Sequence, residues 1–200
     1  MLVIMNIKRA ILKEIYPLIM AAGKLVGSNK LVQKNALQEP PKVPIYGIEA
    51  YTSQGEMVTF ERLKGKKILF VNTASDCGYT TQYAELEQLY KTHKDVLEIL
   101  AFPANDFKEQ EKGTDGEIER FCKLKYGLTF PLMKKSVVIK SPNQNLVYQW
   151  LTNEYLNGWC NQQPLWNFCK YLVDENGTLT HFFSQNMSPL DKVLIDAVES

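Results

Sequence analysis

Two continuous runs of apolar residues mark the centre of the sequence. Lys67–Asn72 and Val96–Phe102 carry apolar side chains at successive positions, which is typical of strands that are covered on both faces. Between them, Thr81–Lys94 places apolar side chains at helical spacing and predicts a helix. It begins near Thr80 or Thr81, where either hydroxyl accepts a hydrogen bond from a first-turn amide. Strand, helix and strand predict a βαβ unit with two parallel strands and a right-handed crossover.

Weaker patterns of the same kind surround this unit. On its N-terminal side, Tyr46–Thr52 and Met57–Phe60 flank the turn residues Ser53–Gly55 and predict a β-hairpin. Downstream, the pattern predicts helices at Asp115–Lys125 and Asn145–Thr152 and a short strand between them at Val137–Lys140. It then predicts a hairpin of Phe168–Val173 and Thr178–Phe183 that turns at Asp174–Gly177. A last helix is predicted at Leu190–Val198, capped by Ser188 and Pro189. Two parallel strands followed by an antiparallel hairpin, with helices between and after, are the strand order of a thioredoxin-like sheet. The predicted fold class is therefore α/β, with a mixed central sheet flanked by helices.

Residues 1–42 differ from the rest of the chain. They carry seven basic and two acidic side chains and an interrupted helical pattern that contains Pro17. Their apolar run, Ile15–Gly23, is far shorter than the ~20 residues that span a bilayer. The segment is an amphipathic helix on an anionic membrane surface, a targeting segment, or a helix packed on the domain. We therefore expect a basic, helical N-terminal extension and linker at 1–42 and one domain at 43–200.

Composition narrows the classes of function. The formal net charge of +1 implies no strongly basic face, which disfavours nucleic-acid binding. Four scattered cysteines without a CxxC pair are typical of a reducing, cytoplasmic compartment rather than of a disulfide scaffold. The two histidines are far from each other and from any paired thiols, which disfavours a metal site.

Cys77 lies between the first apolar strand and the helix that follows it. The thiolate is the nucleophilic form of cysteine, and a helix N-terminus lowers the pKa of a nearby thiol. This position favours a redox or nucleophilic role, against the alternative of a small buried apolar residue.

Two other polar stretches also follow apolar strands or abut them, namely the region of Asn105–Gln110 and the pair Trp166 and Asn167. If these stretches converge on Cys77, then Gln110, Trp166 and Asn167 surround the thiolate with uncharged hydrogen-bond donors. Such donors stabilise a thiolate and a developing alkoxide or hydroxide, which suits attack of sulfur on a peroxide oxygen. Taken singly, each has an ordinary explanation: a core tryptophan, a solvated glutamine and an asparagine that caps a turn.

Three stretches of the chain resemble the signature sequences of the glutathione peroxidase family: VNTASDCGYTTQYAELEQLY, FPANDFKEQE and WNFCKYLVDENG. They occur in the family's order, and the similarity covers roughly residues 43 to 199. The resemblance implies a thioredoxin fold and reduction of hydrogen peroxide and organic, including lipid, hydroperoxides. It places the family's catalytic set on Cys77, Gln110, Trp166 and Asn167, with cysteine in place of selenocysteine.

The resemblance also implies a two-stage cycle. Cys77 attacks the hydroperoxide and becomes a sulfenic acid, which then condenses with a second thiol. Cys122 is the candidate resolving cysteine, with a buried helix-face cysteine as the alternative; a disulfide with Cys77 requires the helix to unwind locally. No bound cofactor or metal is implied, and thioredoxin or glutathione is the reducing co-substrate. Cys169 is expected to pack in the core, and the role of Cys160 stays open.

The chain departs from the family's usual sequence at several positions. Ala104 and Asp106 replace a cysteine and a glutamine, and Lys108 and Glu109 stand where small residues are frequent. Asp106 and Glu109 would raise the pKa of the thiol if they pointed at it, and we expect them to face solvent. The short stretch between Pro131 and Trp166 lacks the extra loop of tetrameric relatives. This favours a monomer and reduction by thioredoxin.

Other functions stay open at this point. A strictly glutathione-dependent peroxidase keeps the same site but needs no internal resolving thiol. A peroxide sensor or relay passes the oxidation of Cys77 to one partner protein. A binding module without redox chemistry would not need Cys77 at all. Peripheral membrane contact through residues 1–42 would favour lipid hydroperoxides as substrates and would place the protein at a membrane surface within the cytoplasm.

Overall fold

A computed structural model of the protein describes residues 31–200. The helical pattern and the apolar run that were expected within residues 1–30 lie outside the described residues. The main sheet has five strands in the order β1-β7-β6-β4-β5, and β2 and β3 form a separate hairpin. The strands are β1 (Val32–Lys34), β2 (Glu49–Tyr51), β3 (Met57–Thr59), β4 (Lys67–Thr73), β5 (Leu97–Pro103), β6 (Lys170–Val173) and β7 (Leu179–Phe183).

The pairing of the strands confirms the predicted α/β fold class. β4 lies between the parallel and the antiparallel parts of the sheet, because it is parallel to β5 and antiparallel to β6. β6 in turn is antiparallel to β7. The helices are α1 (Gln82–His93), α2 (Asp115–Tyr126), α3 (Leu146–Leu151), α4 (Glu154–Asn157) and α5 (Lys192–Glu199). Helix α1 connects β4 to β5, so the βαβ unit is as the sequence predicts. None of the helices within residues 31–200 is long and apolar enough to cross a membrane.

The core consists of two apolar clusters, one on each face of the sheet. Side chains alternate along β4, so that Leu69 and Val71 pack in the cluster that holds the buried residues of α1, α2 and α5. Ile68 and Phe70 pack in the opposite cluster, with α3. Coverage of both faces explains why the sequence of this strand is apolar at consecutive positions.

Helix α2 has a strong signal at each end. Thr114 accepts a hydrogen bond from the amide of Glu117, and the Glu117 side chain accepts one from the amide of Thr114, which forms a capping box. The helix ends at Gly127, whose φ of 62° is in the left-handed region that glycine adopts without strain. These caps give the helix that carries Cys122 well-defined ends.

Two predicted helix starts are wrong in detail. The side chain of Thr81 makes no capping hydrogen bond, because the residue already has helical φ and ψ angles. The last helix begins at Lys192 rather than at Leu190, and its cap is Asp191, whose carboxylate accepts a hydrogen bond from the amide of Val193. Ser188 instead accepts a hydrogen bond from the amide of Leu190, within the preceding turn.

The predicted strand at Val137–Lys140 is also wrong. Val137 makes only an isolated bridge with Gln144, and no ladder extends from it within the described residues. The amide of Val138 donates to a carboxylate oxygen of Asp106 at 2.7 Å, so a side chain takes the place of a neighbouring strand. The same contact corrects the prediction that Asp106 faces solvent, since its carboxylate is bound to the backbone of this loop.

The described part of the N-terminal extension contains a strand rather than a helix. β1 pairs antiparallel with β7, with Val32 opposite Phe183, and forms one edge of the main sheet. Three residues are too few to produce a recognisable period, which is why the sequence pattern does not indicate this strand. The division of the chain at residue 43 remains a prediction.

Candidate active site

Cys77 lies in the loop between β4 and α1, and its side chain is only 7% exposed. Its carbonyl oxygen accepts a hydrogen bond from the amide of Thr80 at 3.2 Å, which turns the chain into the helix. The β4 strand fixes the start of this loop and α1 fixes its end. The thiol is therefore held at the carboxyl end of a central strand, where open α/β sheets place their sites.

The loop that follows β5 holds the cysteine loop from the side. The amide and the hydroxyl of Ser75 both donate to one carboxylate oxygen of Glu111, at 2.8 and 2.9 Å. The amide of Asp76 donates to the carbonyl oxygen of Gln110 at 3.0 Å. The amide of Glu111 itself donates to the side chain of Asn105 at 2.9 Å, which closes this loop on itself. The two residues that precede Cys77, Ser75 and Asp76, are thus held by hydrogen bonds to Gln110 and Glu111.

Glu111 is a residue that the sequence reasoning missed. Its side chain is buried, and burial raises the pKa of its carboxyl group, while the hydrogen bonds from Ser75 lower it. Its position directly after Gln110, at the end of the stretch FPANDFKEQE, was the available signal. A carboxylate in that place has a structural task, because it binds two donors of the cysteine loop.

The third polar stretch completes the site. The side-chain amide of Asn167, which is fully buried, donates to the side-chain oxygen of Gln110 at 2.9 Å. The ring of Trp166 packs against Phe107, with ring centroids 5.5 Å apart, and the ammonium group of Lys108 lies 5.5 Å from the centroid of the Trp166 ring. The aromatic contact fixes the indole beside the loop that carries Gln110.

The electrostatics of Cys77 combine burial with hydrogen bonding. Burial raises the pKa of the Cys77 thiol above its ordinary value, and the nearby carboxylate of Asp76 raises it further. Hydrogen bonds from the backbone of Tyr79 and from the side chains of Asn167 and Trp166 act in the opposite direction and lower the pKa. The expected depression of the pKa by the helix N-terminus is therefore wrong for the net effect, because burial outweighs these donors.

The structure brings together the four residues that the sequence singled out. The side-chain amide of Asn167 binds Gln110, and the side chains of Trp166 and Asn167 lie near enough to Cys77 to lower the pKa of its thiol. The four side chains come from three separate loops, each at the end of a strand of the main sheet. Their arrangement offers hydrogen-bond donors without formal charge to a reacting sulfur atom and to a leaving oxygen atom.

Cys122 lies on the buried face of α2, in the same apolar cluster as Cys77. Its side chain is fully buried and contacts the hydroxyl of Tyr83, and burial raises the pKa of its thiol to about 12. Cys169 and Cys160 are buried in the opposite cluster, and burial raises the pKa of Cys160 to about 11. All four of these thiols, within residues 31–200, are free. In that part of the chain no group of three or more His, Cys, Asp or Glu side chains is placed to hold a metal ion.

Comparisons with known proteins point to one family. The sequence profile of a family described as glutathione peroxidase matches residues 45–152, just over half of the chain. The yeast protein named "Glutathione peroxidase-like peroxiredoxin 2", from Saccharomyces cerevisiae, is 44% identical over 145 residues, which are 72% of this chain and 89% of the yeast protein. The protein named "Hydroperoxy fatty acid reductase gpx1", from Synechocystis, is 38% identical over 160 residues, which are 76% of this chain and 92% of that protein.

A solved structure supports the same relationship. The crystal structure described as Trgpx in apo form superimposes with a TM-score of 0.60 at 28% sequence identity, and covers 80% of this chain and 97% of that chain. The mixed sheet flanked by helices is a thioredoxin-like fold, so fold and site together define an α/β thiol enzyme. The chain belongs to the glutathione peroxidase family, and its activity is that of a peroxidase.

Proposed function

We propose that the protein is a thiol peroxidase that reduces hydrogen peroxide and organic hydroperoxides through Cys77, and that thioredoxin recycles it. The observation that carries the proposal is the convergence of Gln110, Trp166 and Asn167 on the loop of Cys77, with the side-chain amide of Asn167 bound to Gln110 at 2.9 Å. These are the donors that a reacting thiolate and a departing oxygen atom both require.

In the first step the sulfur of Cys77 attacks the terminal oxygen of the hydroperoxide. A sulfur–oxygen bond forms and the oxygen–oxygen bond breaks, so that the cysteine is oxidised to a sulfenic acid and the peroxide is reduced to an alcohol or water. The leaving oxygen takes up a proton. The side-chain donors of Trp166 and Asn167 stabilise the charge that passes from sulfur to oxygen.

The second step is condensation with a second thiol. We propose that Cys122 attacks the sulfenic sulfur, so that a disulfide forms and water leaves. Cys122 is fully buried on α2, and burial keeps its pKa at about 12, so the folded helix holds it in an unreactive form. A disulfide needs Cα atoms within about 7 Å. We propose that α2 opens locally, so that the buried Cys122 thiol is released from the helix and the two sulfur atoms meet.

The last step is reduction of the disulfide. An internal disulfide between Cys77 and Cys122 suits a dithiol reductant of the thioredoxin type, which reduces it by thiol–disulfide exchange. The short stretch between Pro131 and Trp166 supports the same reductant and a monomeric protein. The peroxide is thereby reduced, the thiol co-substrate is oxidised and the enzyme is regenerated, in a cycle in which no prosthetic group takes part.

The experiment that tests the proposal is steady-state consumption of peroxide by the purified protein, divided between a thioredoxin system and glutathione. Fast turnover with thioredoxin and little with glutathione supports both the peroxidase and the internal resolving thiol. Turnover with glutathione alone keeps the peroxidase but contradicts the role of Cys122. A single oxidation without turnover, followed by a mixed disulfide with one partner, would identify a sensor or relay instead.

We further propose that the basic N-terminal segment brings the protein to anionic membrane surfaces and so to lipid hydroperoxides. The support is the excess of basic side chains in residues 1–42 and the name of the Synechocystis relative, a hydroperoxy fatty acid reductase. Pelleting with anionic liposomes tests the proposal, with neutral liposomes and a chain that begins at residue 31 as controls. Equal pelleting of the two chains would contradict it.

A further inference from the structure

We propose that Asn72 is the positioning residue of the peroxidase site, and that it sets the hydrogen bonds of Trp166 and Asn167 to Cys77. The proposal rests on the proposed role of Cys77, but its test does not need peroxide. Asn72 lies in β4, is fully buried, and directly follows the apolar run Ile68–Val71.

One residue supplies three hydrogen bonds to the segment that carries Trp166 and Asn167. The side-chain amide of Asn72 donates to the carbonyl oxygen of Trp166 at 2.9 Å. The backbone carbonyl oxygen of Asn72 accepts a hydrogen bond from the backbone amide of Phe168 at 2.5 Å. The backbone amide of Asn72 donates to the backbone carbonyl oxygen of Cys169 at 3.3 Å. The backbone bonds extend the pairing of β4 with β6 beyond Lys170, and the side chain extends it further to Trp166.

The segment needs such support because its backbone is unusual. Phe168 has a φ of 69°, in the left-handed region that bulky side chains rarely adopt. Its ring packs against Tyr83 in the core, with centroids 5.1 Å apart. The hydrogen bonds of Asn72 and this aromatic contact hold the kink, and the kink directs Asn167 to Gln110 and Cys77 while Phe168 enters the core.

Packing alone gives no reason for an asparagine at this position. Side chains alternate along β4, so that Asn72 lies on the same face of the sheet as Ile68 and Phe70. This face is the one that the apolar cluster with α3 covers. Its side-chain oxygen is buried and has no hydrogen-bond partner among residues 31–200. A buried amide with one unsatisfied oxygen destabilises the fold relative to an apolar side chain of similar size. The contact that requires the amide is the one to Trp166.

Asn157 offers a matched control. It is a second fully buried asparagine, and its side-chain amide also donates to backbone carbonyl oxygens, those of Trp150, Leu151 and Cys160. None of these belongs to the loops around Cys77. Replacement of Asn157 therefore removes more hydrogen bonds than replacement of the Asn72 side chain, without touching the site.

The test compares Asn72→Leu, Asn72→Val and Asn157→Leu with the unchanged protein. The rate of alkylation of Cys77 by iodoacetamide is followed over a pH series, by mass spectrometry of the peptide that contains it. We expect both Asn72 variants to shift the midpoint upward by about one pH unit and to slow alkylation at neutral pH about tenfold, because the side chains of Trp166 and Asn167 are then no longer held beside the thiolate. Asn157→Leu should leave the midpoint unchanged while lowering thermal stability.

An unchanged midpoint in both Asn72 variants, or the same upward shift in Asn157→Leu, would overturn the proposal. If Asn72→Leu does not fold, Asn72→Val decides alone, since it removes the amide that donates to Trp166 and adds no charge beside Cys77. Alkylation requires no peroxide. A protein that fails to reduce peroxide would therefore contradict the proposed function while the role of Asn72 is still measured.

Discussion

Cys77 and Cys122 lie in the same apolar cluster and are both buried, yet their surroundings differ. Burial raises the pKa of both thiols, but Cys77 receives hydrogen bonds from the backbone of Tyr79 and from two side chains that lower its pKa again. At Cys122 the nearby Tyr83 side chain lowers the pKa, but burial and the charges of two glutamates raise it to about 12. Burial alone therefore does not decide which thiol reacts; the donors around the sulfur do.

The two thiols also differ in what holds them. Cys77 lies in a loop that the side chain of Glu111 binds through Ser75. Cys122 lies within α2, which is capped at both ends and whose Glu119 accepts hydrogen bonds from Ser53 and Gln54. We expect the first oxidation to depend on chemistry at Cys77, and the second step to depend on the opening of a helix.

The largest effect is expected at Cys77. Cys77→Ser should abolish peroxide reduction, because a hydroxyl at this position is neither a thiolate nor able to form a sulfenic acid. Peroxide consumption by the variant should fall to the rate without protein, while Cys160→Ser, at a buried cysteine of the opposite cluster, keeps its activity. An active Cys77→Ser protein would rule out the mechanism.

Next in size is the effect at Cys122. Cys122→Ser should leave the first oxidation intact and reduce turnover with thioredoxin by about a hundredfold or more, since no internal thiol then resolves the sulfenic acid. Dimedone labelling of Cys77 measures the first step, and thioredoxin-coupled peroxide consumption measures the second. Continued cycling of this variant with thioredoxin would show that Cys122 serves only in packing.

Loss of a donor to the sulfur should have a smaller effect. Trp166→Phe keeps the aromatic contact with Phe107 but removes the indole N–H, and we expect oxidation of Cys77 to slow roughly tenfold to a hundredfold. Stopped-flow oxidation by a single equivalent of peroxide provides the measurement. Trp159→Phe is a matched control, because its indole donates to the carbonyl oxygen of Leu179. Equal rates in the two variants would argue against the donor role.

The alkylation rates of Cys77 and Cys122 should depend differently on pH. Because the pKa of Cys77 is raised, its neutral thiol predominates at neutral pH, and alkylation should accelerate as pH rises toward that pKa. The pKa of Cys122, about 12, lies above the pH values at which alkylation is measured. Alkylation of Cys122 should therefore stay at least roughly tenfold slower than that of Cys77 at every pH of the series. Peptide-resolved alkylation of one sample reports both thiols together. Similar rates for the two would mean that the helix opens freely in the reduced protein.

The smallest expected effect concerns the contacts of Glu119. Glu119→Ala removes an ion pair with Lys123 and the hydrogen bonds to Ser53 and Gln54, so α2 should open more easily and the disulfide should form about two- to fivefold faster. The interval between sulfenic acid formation and disulfide formation is measured by rapid quench. Asp196→Ala breaks the corresponding pair with Lys192 on α5 and should leave this interval unchanged. A slower disulfide step in Glu119→Ala would contradict the assigned opening.

The sequence predicts those parts of the fold that have a long, regular pattern. The apolar strands β4 and β5, the helix between them and the C-terminal hairpin are confirmed, because burial on both faces and helical spacing leave clear periods. Val137–Lys140 and the start of α5 are wrong in the prediction, since contacts with Asp106 and Asp191 decide the local structure there. The contact of Asp106 with Val138 spans 32 residues, so no local pattern records it. Asp191, by contrast, caps its own helix two residues away, and it was a local signal that the choice of Ser188 and Pro189 missed.

The reactive residues of the site were predictable from the sequence, but the residues that hold them in position were not. Cys77, Gln110 and the Trp166–Asn167 pair are polar or reactive residues next to apolar strands, and this contrast is visible in a single sequence. Asn72 carries no such signal, and Glu111 carries only its position next to Gln110, because the importance of both lies in hydrogen bonds to residues far along the chain. The raised pKa of Cys77 likewise depends on how deeply three loops bury it, which spacing does not express.

The strand β1 has a practical consequence for shortening the chain. It covers the outer edge of β7, whose amide and carbonyl groups would otherwise be open to pairing with another molecule. A protein cut at residue 43 would lose this cover and would be prone to edge-to-edge aggregation. Sedimentation caused by aggregation would then be mistaken for binding to liposomes. A cut before Leu31 keeps the strand in place and leaves the sheet protected while the basic segment is removed.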